Sequence, residues 1–103
     1  MRRVIVRYRL KPGQAELNEE LVRGVYDELH QVRPEGLRYG TFRLDDGLTF
    51  VHIALVEGEA NPLAQLEAFK AFTAGIQERC DEPPQSSSMT EIGSYGLFDE
   101  VEA

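Results

Sequence analysis

Residues 37–56 read LRYGTFRLDDGLTFVHIALV, and this stretch decides the fold. Two runs rich in β-branched and aromatic residues, Leu37–Leu44 and Leu48–Val56, flank Asp45-Asp46-Gly47. Asp-Gly between two alternating runs marks a hairpin, because glycine accepts the positive φ that such a turn demands. The second run is apolar on both parities, as a strand covered on both faces should be.

Working outward, residues Arg3 to Leu10 alternate. Val4, Val6, Tyr8 and Leu10 point one way and Ile5, Arg7 and Arg9 the other, which describes a strand with one strongly apolar face. Pro12-Gly13 breaks it. From Gln14 to Val32, Leu17, Leu21, Val22, Val25, Leu29 and Val32 recur at helical spacing, and Pro34 and Gly36 end the helix. After the hairpin, Asn61-Pro62 opens a second helix, since Asn caps and Pro suits the first helical position. Its stripe is Leu63, Leu66, Phe69, Phe72, Ile76 and Cys80, and Asp81-Glu82-Pro83-Pro84 stops it. Gln85 to Ser88 reads as a polar connection. A last strand is expected from Met89 to Phe98, with Gly93 and Gly96 marking a bulge or close approach, then a frayed acidic tail over 99–103.

The order β-α-β-β-α-β predicts an α+β, ferredoxin-like fold over one domain, 1–103: a four-stranded antiparallel sheet with two helices on one face and the first and third strands central. Two helices cover only one face of a sheet. The simplest cover for the other is a second copy of the chain, so a homodimer is expected.

Composition excludes more than it assigns. A net charge of -7 argues against a nucleic-acid partner, which needs a concentrated positive field. One cysteine, Cys80, excludes an internal disulfide and fits a reducing, cytoplasmic setting. No run approaches membrane-spanning length, and no motif for a cofactor or a metal is present. Cys80 reads as a small core residue, which disfavours a redox role. His30 suits the negative end of the first helix.

Two hairpin registers compete. A two-residue Asp46-Gly47 turn sets Thr41 opposite His52, Tyr39 opposite Ala54 and Arg43 opposite Phe50. A three-residue loop with a bulge pairs Phe42 with Phe50 and Gly40 with His52 instead. In the first register, Phe42, Val51, Ile53 and Leu55 form the more apolar set, suited to the helices. The second face then gathers His52, Tyr39 and Thr41, with Arg7 and Arg9 from the first strand. His52 is the candidate catalytic residue: its near-neutral pKa would let it take a proton from a phenol or enol, although a buried histidine bonded to a neighbour is the commoner case. Arg7, Tyr39 and Thr41 are the candidate ligand-binding residues. Arg7 and Arg9 fit an anion site or, more simply, an interface ion pair with Glu91.

The segments VIVRYRLKPGQAELNEELV, FVHIALVEGEANPLAQLEAFKAFTAGIQERC and MTEIGSYGLF together resemble the dimeric α/β-barrel superfamily, most closely its antibiotic-biosynthesis-monooxygenase-like group. The resemblance implies a homodimer whose facing sheets make a barrel, with a pocket between sheet and helices. Some members of the superfamily oxidise polycyclic phenols with molecular oxygen and no cofactor; others degrade haem, remove chloride, or have no known activity. This chain has no Trp, so the Asn, Trp and His pattern of the haem-degrading enzymes does not carry over, and no catalytic residue is transferred. Two functions follow as expectations: a cofactor-independent monooxygenase-like enzyme acting on a small aromatic or enolic metabolite, or a non-catalytic dimeric module that binds a small ligand.

Overall fold

The computed structural model describes residues 1–97; the acidic tail at 99–103 and the end of the expected last strand lie outside the described residues. Four strands, β1 (Arg2–Leu10), β2 (Leu37–Arg43), β3 (Thr49–Val56) and β4 (Cys80–Ser88), form one antiparallel sheet in the order β2-β3-β1-β4. Helix α1 (Ala15–Val32) follows β1. A 3-10 turn (Pro62–Gln65), α2 (Glu67–Ala74) and α3 (Ile76–Arg79) join β3 to β4. This is the ferredoxin-like α+β arrangement, with β1 and β3 central.

The hairpin adopts the register of the two-residue reading. Thr41 faces His52, Tyr39 faces Ala54 and Leu37 faces Val56. The connection itself is longer: Leu44 and Thr49 still pair, and Gly47 N–H closes a turn on the Leu44 carbonyl at 3.0 Å. A four-residue loop keeps the register of a two-residue one because it removes one pair of opposed residues and shifts none. Asp46 organises the loop by accepting from the Leu48 and Thr49 amides and the Thr49 hydroxyl, which hold its carboxyl down at about 2.

The face assignment is reversed. Register pairs Val6 with His52 and Tyr8 with Phe50, so the His52, Tyr39 and Thr41 set shares a face with Val4, Val6, Tyr8 and Leu10. That face carries the core with Val22, Val25, Leu63, Leu66, Phe72 and Ile76. Phe42, Val51, Ile53 and Leu55 lie on the opposite face, with Ile5, Arg7 and Arg9. The physical reason is satisfaction of polar groups: His52, Tyr39 and Thr41 bond one another, so their burial leaves no polar atom unpaired.

The last strand also departs from expectation. Residues 80–88, read as helix end, stop and connection, are β4, and residues 89–97 are irregular. Ile92 and Tyr95 are 96% and 99% exposed. Proline cannot donate to a ladder, and β4 is an edge strand where that costs little. Arg7 pairs with Gln85 and Arg9 with Glu82, so Pro83 and Pro84 together oppose Tyr8 in a bulge. Cys80 opens the strand rather than closing a helix. It is buried, as expected of a core residue, and burial raises its thiol pKa.

The helices follow the sequence with one rotation. Ala15, Asn18, Val22 and Val25 face the sheet, while Leu17 and Val32 are exposed. Asn61 caps the 3-10 turn by accepting from the Leu63 amide at 3.0 Å. Glu28 of α1 accepts from the Ala68 amide at 2.8 Å, tying α1 to the first turn of α2.

Gly47 has φ of +75°, and a methyl group on its α-carbon would come no nearer to another residue than 3.7 Å, from the Arg43 guanidinium. Alanine there meets conformational strain alone. Gly47→Ala should destabilise the protein by about 1–2 kcal/mol in urea denaturation. An unchanged midpoint would show that the loop does not depend on a left-handed residue.

Candidate functional site

The site begins at a charge. Arg79, the last residue of α3, is 7% exposed, and no carboxylate among the described residues lies within ion-pair distance of it. Its Nη2 donates to the Phe72 carbonyl at 2.6 Å, its Nε donates to Asn18 Oδ1 at 3.2 Å, and its guanidinium lies 5.6 Å from the centre of the Phe72 ring.

From there the hydrogen bonds run in one direction. Asn18 Oδ1 accepts from Arg79, so its amide nitrogen faces Tyr8 and donates to the Tyr8 hydroxyl at 2.8 Å. The Tyr8 hydroxyl and His52 Nε2 lie 2.8 Å apart, and with Asn18 donating to the hydroxyl we assign its one hydrogen to Nε2. Nε2 is therefore the unprotonated nitrogen. Nδ1–H donates to Tyr39 Oη at 2.8 Å and to Thr41 Oγ1 at 3.0 Å, and Thr41 Oγ1 is bonded to Tyr26 Oη at 2.8 Å. Burial pushes the His52 pKa down to about 4. Burial also raises the pKa of Tyr8, Tyr39 and Tyr26, against the lowering effect of their hydrogen bonds to Asn18 (for Tyr8) and Thr41. At neutral pH the cluster is thus a set of neutral groups polarised by one remote cation.

The cluster opens on a cavity of about 370 Å³ between the sheet and the α2–α3 segment. Its walls are Val4, Val6, Ala54, Val56, Leu63, Phe69, Phe72 and Ile76, with Tyr8, Tyr39 and His52 as its deep polar groups and Arg2, Asn61, Thr73 and Ser86 as the others. An apolar chamber with few convergent polar groups is the usual form of a small-molecule site. Phe69 and Phe72, read from the helical stripe, serve as core and cavity wall together. Among the described residues no group of His, Cys, Asp and Glu could hold a metal ion.

Three of the four candidate residues come together here: His52, Tyr39 and Thr41. Arg7 does not. It lies on the opposite face of the sheet, half-exposed, 3.5 Å from Glu82. Glu82 also pairs with Arg9, and Glu91, the expected partner of those arginines, pairs with Arg3. Tyr8, Asn18 and Arg79 are functional candidates that the sequence reading missed. Asn18 had a signal: it sits on one helical face with Val22 and Val25, where a polar residue requires a buried partner.

No protein-family model matches the chain, and no curated protein sequence matches it. Solved structures do. A candidate antibiotic biosynthesis monooxygenase from Nitrosomonas europaea superposes with a TM-score of 0.75 at 18% identity, over 90% of this chain and 100% of that one. A variant of SnoaB, a cofactor-independent oxygenase from Streptomyces nogalater, gives 0.68 at 13% identity over 92% and 96%. An antibiotic biosynthesis monooxygenase gives 0.65 at 20% identity over 90% and 100%. At these identities the likeness establishes a shared fold, the fold that the sequence resemblance implied.

The buried imidazole makes stability depend on pH. In the unfolded chain His52 titrates near 6.5, and in the folded protein near 4. Its contribution is complete above about pH 6.5. Below that the unfolded state takes up the proton first, so stability falls by about 1.4 kcal/mol per unit until about pH 4. His52→Gln should lack that component in denaturation curves taken between these limits, and equal slopes for both proteins would contradict a neutral His52. Nitrogen-15 spectra of the imidazole should report Nδ1 as the protonated atom.

Proposed function

We propose that the cavity binds a small aromatic or enolic molecule through one oxygen atom, and that the protein acts on it as a cofactor-independent monooxygenase-like enzyme. The observation behind this reading is the one-way chain from the Arg79 cation to the Tyr39 hydroxyl at an apolar cavity. Tyr39 lines the cavity, and its hydroxyl, bonded to His52 Nδ1, is the group we assign to the ligand oxygen. A preorganised donor in a water-poor site stabilises an oxygen that gains negative charge, as a carbonyl does on becoming an enolate. An enolate is electron-rich enough to reduce molecular oxygen. For an activated methylene the balance is CH2 + O2 → C=O + H2O, with every electron supplied by the substrate. His52 then acts through Nδ1–H on Tyr39. The methylene proton lost as the enolate forms goes to His52 Nε2, the acceptor role expected from sequence, and Nε2 leaves Tyr8 to take it. The fold likeness to a cofactor-independent oxygenase supports the same reading.

A specific observation favours the second reading, binding without turnover: both nitrogens of His52 are already engaged within the protein. Oxygen uptake with anthrone, which carries such a methylene, separates the two. Turnover that falls about 10²-fold in Tyr39→Phe, the size of effect for one lost oxyanion donor, supports the enzyme. No uptake, together with 2-naphthol binding weakened by Tyr39→Phe, assigns the site to binding alone.

We also propose that the chain works as a homodimer through the sheet face opposite the helices. That face carries Ile5, Val51 and Ile53, half-buried, and Phe42, 55% exposed. A contiguous apolar patch of this kind marks an interface. Phe42→Lys should convert a dimer to a folded monomer in sedimentation equilibrium. A wild-type monomer would remove the dimer and leave the cavity untouched.

A further inference from the structure

The cavity has a second polar end. Arg2 is the one charged residue among those that line it. On β1 the residues Arg2, Val4, Val6 and Tyr8 share the face toward the cavity, and the register sets Arg2 beside Val56 and Val6 beside His52. Four residues of extended chain therefore separate the Arg2 rung from the His52 rung, about 13 Å. Val4, Ala54 and Val56 form the apolar floor between them.

Arg2 differs from the other arginines near the sheet. Arg3, Arg7, Arg9 and Arg43 each pair with a glutamate. Arg2 has no ion-pair partner among the described residues. One of its N–H groups donates to the Glu59 carbonyl at 2.8 Å, which ties the guanidinium to the loop at the rim of the cavity. That bond leaves most of a planar, forked set of donors open, a geometry that matches a carboxylate. In a chain of net charge -7 an anion meets repulsion over most of the surface, so a cation tethered at a cavity rim selects for an anion entering there.

We propose that the ligand of this cavity is a hydroxy- or keto-aryl carboxylate. Its carboxylate is held by Arg2 at the rim, its apolar ring system lies over Val4 and Ala54, and its oxygen reaches Tyr39 at the deep end. This rests on the ligand-binding reading above and adds the anionic group and the orientation.

The test uses the full chain and three fluorescent probes: 6-hydroxy-2-naphthoate, its methyl ester, and 2-naphthol. The absence of Trp leaves the naphthalene emission unobscured. In wild type the carboxylate should bind about tenfold more tightly than the ester, as expected of a charge-assisted contact at a partly exposed site, and its affinity should fall with added salt. Arg2→Gln should erase that preference without changing ester binding. Arg3→Gln, which alters the opposite face, should keep it. Equal binding of carboxylate and ester in wild type, or a preference that survives Arg2→Gln, overturns the inference while leaving the cavity as a ligand site. Failure of all three probes to bind removes the ligand-binding reading and this inference together. Circular dichroism of Arg2→Gln establishes that the exposed substitution leaves the fold intact.

Discussion

A guanidinium cation buried with no carboxylate partner among the described residues is the constraint around which this molecule is arranged. Arg79 has to be satisfied by neutral dipoles, and the ones it uses come from separate elements: the Phe72 carbonyl of α2, the Phe72 ring and the Asn18 side chain of α1. Removing one partner of such a buried group leaves an uncompensated charge, which costs several times what an exposed pair is worth. Asn18, once committed to Arg79, can present only its amide nitrogen to Tyr8, and each later bond is decided by the one before it. The chain then crosses β1, β3 and β2. A local need for charge solvation thereby ties α1 to α3 and orients the hydrogen bonds that reach the imidazole on β3.

The same constraint divides the sheet into two chemically different faces. Toward the helices the buried polar groups around His52 are neutral and mutually bonded, apart from Arg79, with Arg2 standing at the rim of the cavity. On the other face the arginines of β1 stand half-exposed and pair with Glu82 and Glu91. Surface pairs of that kind contribute little to stability and are screened by salt. They leave the apolar residues between them, Ile5, Val51 and Ile53, available to a partner. In the reading proposed above, the inner face holds a developing negative charge away from water and the outer face associates with a second copy.

Much of this architecture was legible because it rests on periodicity. The hairpin itself follows from Asp-Gly and the alternation of the flanking runs, while its register was one of two that they allowed. The stripe from Leu63 to Cys80 identified the core positions of the second crossover even though the backbone there breaks into a 3-10 turn and two helices. What escaped the sequence depended on contacts between distant segments. Pro83-Pro84 reads as a stop unless the strand is known to lie at an edge, where a missing N–H and a bulge are tolerated. The side of the sheet that carries His52 depends on the β1–β3 register, which no local turn encodes. Counting apolar residues put Phe42 and Ile53 inside. Pairwise bonding of His52, Tyr39 and Thr41 allows the more polar set to be the buried one.

Arg79, Asn18 and Tyr8 were invisible for a related reason. Each has an ordinary local explanation: a basic residue in a last helical turn, a polar residue on an amphipathic helix, an aromatic in a strand. Their meaning appears only when three elements meet. It is directional, because a guanidinium can only donate and an amide bonded at its oxygen can only offer its nitrogen. That asymmetry orients the bonds around Tyr8, and both nitrogens of His52 are engaged within the protein. In the function proposed above, the chemistry that this arrangement favours is stabilisation of an oxygen that becomes negative.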